Sequence, residues 1–464
     1  MNHKLFTLNF IKVCFANLFL FFSLYMVLPI TPFELTKNLN LENYANWYFY
    51  LTFILGLLVG GPFHNYFIEN YNRKKICSLS YIGVIIPSLL FIFTDNQLFY
   101  LIGAFVQGFS FGTATAGNVT IAIDVTLPQK RGKGNIIYAW AGRSGMVLAI
   151  PLSIYIQLTY GYHTCVYISI LTGVMAYLFT KLTKHPFRAP NDVKALSLDR
   201  FILPQGWRLM LMMIAIAFIP GSLFPHFMQE IQTRSFYITA DTTIFIVLPF
   251  FVFIISALLS RLEIDALLHN KVGGYLLTRL PLLLIGSYFL VEYYKSLSSW
   301  SILISLLLII GFIFAIWTSI MPHRRYPKMS KWVLESQYRM EVTSPIFSGI
   351  LCIILSLLLE NDLYLSDYIS YILITQLLLF GLARVSSPIF LLLILSSKHC
   401  ERGTANTSHH LAWEVGLALG AIITLAYHLS IQETIILNAS LVGVILLLYL
   451  YIHYRLHYLA RHKH

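Results

Sequence analysis

From residue 8 onward the chain is a succession of long apolar runs broken by short charged or Pro/Gly-bearing segments. The hydrocarbon core of a bilayer takes about 20 apolar residues per helix. Runs of that length recur at 8–30, 46–68, 76–93, 97–123, 135–158, 163–182, 207–227 and 239–259, then at 272–294, 300–321, 342–359, 368–395, 404–429 and 435–454. Their length and continuity predict helices, because a transmembrane strand needs only about 10 residues of alternating polarity. The pattern therefore predicts an all-α integral membrane protein of fourteen spans.

Composition strengthens this picture. Of 464 residues, 57% are hydrophobic and only 11% charged, far below the roughly 25% charged residues of a soluble domain. A soluble enzyme and a secreted disulfide scaffold are excluded on that ground. Cys14, Cys77, Cys165, Cys352 and Cys400 are scattered without a C-x-x-C spacing, so neither a zinc site nor a disulfide framework is implied. Lys4 and Lys12 precede the first run, which lacks a small-x-small cleavage signal and reads as an uncleaved first span.

The net charge of +12 would suit a nucleic-acid binder, so its location matters. With the N-terminus placed in the cytoplasm, 26 of the 32 Lys and Arg fall on cytoplasmic segments, three outside and three within spans. That is the positive-inside bias of a membrane protein, with some attraction to anionic lipid, and it removes the nucleic-acid reading. Both termini are then cytoplasmic, and a plasma membrane, the inner membrane of a bacterium, is the expected location. The bias survives loss of an adjacent pair of spans, so twelve is the fallback count.

A repeat supports fourteen. Arg131-Gly132-x-x-Asn135 and Arg402-Gly403-x-x-Asn406 each open a span and stand 271 residues apart. The same offset pairs Arg143 with Glu414, one intramembrane charge in each half. Spans 8–182 then correspond to those from 272 onward. The predicted plan is a six-helix bundle (1–183), a cytoplasmic linker with two extra central helices (184–271), and a second six-helix bundle (272–464).

Gln107-Gly108-Phe-Ser-Phe-Gly112 in the fourth span, followed by Asp124, Pro128 and Arg131-Gly132, resembles the span-four pattern of the major facilitator superfamily. Glu69-Asn-Tyr-Asn-Arg73-Lys74 is similar to that family's D-R-x-G-R-R/K loop motif, with Glu69 for Asp and Asn72 for Gly. The resemblance implies the major facilitator fold, and fourteen spans resemble its drug:proton antiporter branch. The span-five run of that branch is degenerate here, Gly142-Arg143-Ser-Gly145 with Pro151 displaced. The acidic-basic signature of peptide symporters is absent from span one.

Burying a charge at mid-span costs about 2.5–3.5 kcal/mol on insertion scales, so each one calls for a reason. Arg279 lies near a span end and can snorkel. Arg384 stands beside Ser386, Ser387 and Pro388, where it either lines a cavity or caps freed carbonyls. Arg143 and Glu414 are expected to face each other, alternating between a paired, deprotonated form and an unpaired, protonated one; a permanent structural pair is the alternative. His410, four residues before Glu414, is placed to relay protons to it. A third ligand at diagnostic spacing is lacking, so no metal is expected. Trp140 and Trp413 flank the charges as binding wall or packing. Asn17, Gln107 and Asn118 either line the cavity or tie helices together. Glu69 with Arg73, and Asp124 with Arg131, are candidate cytoplasmic latches, with Lys74, Gly132, Arg402 and Gly403 in the same loops.

The function these features support is secondary active transport by alternating access, with protons driving efflux of a small amphipathic or drug-like compound. A metabolite symporter or uniporter of the same fold is the alternative. An integral membrane transferase is the alternative of another class, but the loops carry no convergent acids or histidines. The expected partners are a small-molecule substrate, protons and lipid, with no cofactor and the chain acting as a monomer.

Overall fold

The computed structural model describes residues 6–39, 46–93, 96–127, 131–184, 201–233 and 402–430, with short stretches around 389–397 and 433–444. The described segments are helical: α1 (Leu8–Val27), α2 (Thr31–Leu39), α3 (Trp47–Asn70), α4 (Arg73–Phe93), α5 (Gln97–Asp124), α6 (Arg131–Tyr160), α7 (Tyr162–Lys181), α8 (Trp207–Thr233) and α9 (Arg402–Ala426). Among them seven spans are long and apolar enough to cross a membrane. The all-helical reading therefore holds wherever the chain is described. Most of 234–401, and with it Arg279 and Arg384, lies outside the described residues.

Chemistry sets the helix limits. Pro29 lacks an N–H, and the first span is interrupted there; Thr31 Oγ1 donates to the Val27 carbonyl across the break at 2.7 Å. Asn96 accepts from the Leu98 amide at 2.9 Å as the N-cap of α5. Gly161 separates α6 from α7 at φ +85°, which a side chain would strain. Arg131 and Arg402, expected in loops, instead begin α6 and α9, whose first turns carry no acid. The macrodipole favours anions there, so an arginine in the first turn is no dipole-complementing start for either helix.

All nine helices belong to one compact unit, Met1–Val247 with Phe390–Thr434; the second, Leu248–Ile389 with Ile435–His464, lies almost wholly outside the described residues. Within the first unit α3 packs on α5, α4 on α5 and α7, α1 on α6 and α7, and α8 on α9. Small residues set the closest crossings, as expected where lipid offers no hydrophobic drive between helices. A Cβ on Gly108 would overlap the Phe53 carbonyl, and one on Gly56 the Phe105 carbonyl. The family-like glycines of span four are thus the floor of the α3–α5 crossing. Outward faces remain apolar, with Leu79, Leu171 and Tyr167 exposed, as a lipid-facing surface requires.

The α1–α6 and α8–α9 crossings are built alike. Gly145 of α6 backs onto the Leu18 carbonyl of α1, and Gly416 of α9 onto the Ile214 carbonyl of α8. Gly145 and Gly416 are again 271 residues apart. Toward α9, then, α8 takes the place that α1 takes toward α6.

Candidate functional site

Asn17, Phe21 and Tyr25 recur every four residues and form one stripe of α1. Tyr138, Gly142 and Arg143 face that stripe from α6. Asn17 Nδ2 donates to the Tyr138 carbonyl at 3.1 Å, and the Tyr138 hydroxyl returns a bond to Asn17 Oδ1 at 2.9 Å. Gly142 makes room for this clamp, since a Cβ there would meet Asn17 Nδ2.

Helix α9 completes the cluster with His409, His410, Trp413 and Glu414, all buried. The Tyr25 hydroxyl donates to Glu414 Oε2. Arg143 Nη2 lies 2.6 Å from His409 Nε2 and 3.1 Å from its Nδ1, and its guanidinium carbon sits 4.8 Å from the Trp413 ring centre. Aromatic rings close around these groups: Phe390 lies 4.3 Å from His409, Phe21 is 5.5 Å from His410, and Phe111 is 5.0 Å from Phe21. Arg143 is 6% exposed and Glu414 3%, yet Arg143 Nε and Glu414 Oε1 have no hydrogen-bond partner among the described residues. Two ionisable groups so deeply buried and half-satisfied are unusual in a finished core, which makes this cluster the candidate site.

The two charges of the repeat thus enter one cluster, each with a different first neighbour. Among the described residues no ion pair joins Arg143 to Glu414, although each lies within range of the other's charge. A guanidinium only donates, so His409 meets it with a ring lone pair and is neutral in this arrangement. His410 packs on Phe21, with no bond from it to Glu414 in evidence. Tyr25 was missed by sequence reasoning; its signal is the four-residue stripe with Asn17 and Phe21, which marks the α1 face turned inward.

The remaining polar positions tie helices together. Gln107 Nε2 donates to Ser88 Oγ at 2.8 Å and the Val84 carbonyl at 3.3 Å. Asn118 Nδ2 reaches the Tyr81 hydroxyl at 2.6 Å, which Thr180 also joins at 3.0 Å. Trp140 is half-buried on α6. Arg73 pairs with Asp124, linking the start of α4 to the end of α5. The side chains of Glu69, Arg131 and Arg402 lie outside the described residues, and Gly403 of α9 packs near Ile123 of α5. Lys74 and Lys12 donate to the Thr183 and Leu182 carbonyls at 3.2 and 3.1 Å, closing the C-terminal end of α7 with two cations. Among the described residues no group of three or more His, Cys, Asp or Glu is arranged to hold a metal.

Comparison with known proteins agrees with this architecture. The chain is similar to the human organic anion transporter MFSD10 (TETRAN), at 13% identity with TM-score 0.54, covering 95% of this chain and 98% of that one. It is likewise similar to a bacterial homologue of the iron transporter ferroportin, at 13% identity with TM-score 0.57 over 96% and 99%, and to an auto-inhibited POT family peptide transporter, at 14% identity with TM-score 0.53 over 96% of each chain. At such identities the likeness is one of fold. A shorter match, 28% identical over 105 residues, links it to the steroid transmembrane transporter SLC22A24 of Homo sapiens, spanning 23% of this chain and 19% of that protein. The family model described as Major Facilitator Superfamily matches residues 13–324, and the chain belongs to that superfamily of membrane transporters.

Proposed function

We propose that this chain is a proton-coupled secondary active transporter that moves a small amphipathic compound by alternating access, with Glu414 as its proton carrier. One observation carries the reading: a carboxyl group buried at mid-span holds a single described hydrogen bond, from Tyr25, and leaves its other oxygen without a partner among the described residues, within range of the Arg143 charge. Such a group is costly unless it works. Arg143 is held by His409 in the present arrangement; in the alternate state it turns to Glu414 Oε1, and the proton leaves. Export through an inner membrane, with both termini cytoplasmic and the chain acting as a monomer in lipid, follows the antiporter-like reading of the sequence. The named relatives carry steroids, organic anions, peptides and iron, so they support transport without choosing a cargo.

The test is transport in proteoliposomes under an imposed pH gradient against a panel of amphipathic compounds. Glu414→Gln should lower gradient-driven flux by about tenfold or more, as loss of an interaction worth at least 1.4 kcal/mol would. Unimpaired coupling in that variant sinks the proposal. A second reading, co-transport of cargo and proton, is favoured by the buried Nε of Arg143, which has no hydrogen-bond partner among the described residues.

A further inference from the structure

We propose that Arg143 binds the carboxylate or sulfonate head of an organic monoanion with an aromatic body, and that this anion binds together with the proton on Glu414. The inference rests on Glu414 being the proton carrier and takes the co-transport reading further.

The guanidinium offers a whole hydrogen-bonding edge. Its Nε is buried without a hydrogen-bond partner among the described residues, and its Nη2 rests on the neutral ring of His409. A carboxylate accepts two parallel, charge-assisted bonds from such an edge, roughly twice as strong as the bond to a neutral acceptor. His409 therefore holds the place that an anion takes. The surroundings are aromatic: Trp413 lies on the guanidinium, Phe390 is tilted against His409, and Phe21 stands between His410 and Phe111, and we infer that these rings part to receive an aromatic body. An organic cation fits poorly, because it would approach Arg143 while Tyr25 already occupies one oxygen of Glu414.

Charge balance sets the sense of coupling. Among the described residues the titratable groups acting on Glu414 are Tyr25 from α1 and Arg143 from α6, while His409 and His410 of α9 itself lie within range of the Arg143 charge. Among the described residues, the charged and histidine side chains of the other helices packed on α9 are engaged elsewhere. His64 of α3 bonds the Gly61 carbonyl, Asp124 of α5 pairs with Arg73, His226 of α8 bonds Thr434, and Arg208 of α8 stacks on Trp207. A deprotonated Glu414 thus compensates Arg143 and competes with the anion, whereas a protonated one leaves the guanidinium to it. Proton and anion favour each other's binding by reciprocal linkage.

The experiment uses full-length protein in lipid nanodiscs with three probes that share one ring system: naphthoate, neutral naphthalenemethanol and naphthylmethylammonium. Naphthoate should bind about tenfold or more tightly at about pH 6 than at about pH 8, as linkage to one proton allows, and the other two should bind weakly at both. Arg143→Gln should lose naphthoate binding, and Arg143→Lys, which keeps charge but not the fork, should retain part of it. Glu414→Gln, fixed in the uncharged form, should bind naphthoate with the pH dependence gone, which a misfolded variant cannot imitate. Equal naphthoate affinity at both pH values in the wild type, or undiminished affinity in Arg143→Gln, overturns the inference. Gradient-driven movement of the ammonium probe, abolished by Glu414→Gln, also overturns it while sparing the proton-coupled reading. Naphthoate binding as described, with no flux of any probe under a pH gradient, keeps the anion site and overturns the transport reading.

Discussion

Tyr25 and Asn17 do different work on the same stripe of α1. The Tyr25 hydroxyl is the described donor to Glu414, so Tyr25→Phe keeps the ring and removes the one bond that holds the carboxyl group. We expect Tyr25→Phe to cost about 1–3 kcal/mol, the cost of a buried partner left unsatisfied, and to move the pH profile of transport. A thermal melt reads the first effect and vesicle flux across pH the second; a lowered melt with an unmoved profile would make Tyr25 purely structural. Asn17→Leu should lower the melt without moving the profile, because its bonds go to Tyr138 and not to the charged cluster. Arg143 and Glu414 were legible in the sequence as charges out of place. Their neighbours were not, because which ring nitrogen or hydroxyl meets a charge depends on how three helices are rotated.

At the scale of elements, glycine decides how closely helices approach. Gly108→Val would drive a side chain into the Phe53 backbone, so α3 and α5 must separate and the protein should fail to elute as a single folded species in detergent. Gly161→Ala meets nothing within 4 Å and has only its φ of +85° to strain, so a loss of about 1–2 kcal/mol is expected. Similar behaviour of the two variants in size exclusion and thermal melts would show that the crossing is not tightly packed. The repeat offset was legible from the paired R-G-x-x-N segments, but the partner of α9 was not. From the matching Gly145 and Gly416 contacts we propose that the second half opens with α8, so the 207–259 pair is not an insertion between halves. Co-expressed pieces cut between 185 and 200 should then reassemble into an active carrier, and pieces cut between 260 and 271 should not.

For the molecule as a whole, the Arg73–Asp124 pair concerns how the adjoining ends of α4 and α5 are held. A cation at the start of α4 and an anion at the end of α5 each oppose their helix macrodipole, and the pair offsets what neither end would favour alone. The exchange Arg73→Asp with Asp124→Arg keeps the pair and reverses both dipole terms. It should stabilise the fold by about 0.3–1 kcal/mol per end and slow turnover, because a stronger tie resists the change between states. Cysteine accessibility and initial flux would check this. A faster carrier with a lower melt would show that the pair is no latch.

Membrane residence, helix-only construction and the family were all determined by the sequence itself. They depend on run length, on the cost of burying charge and on local motifs, each of which is one-dimensional. Which groups Arg143 and Glu414 touch, and which helix lies against α9, was decided only by the tertiary structure. Those contacts join residues hundreds of positions apart. They turn on helix rotation and on whether a glycine leaves room for a backbone, neither of which a hydropathy pattern encodes.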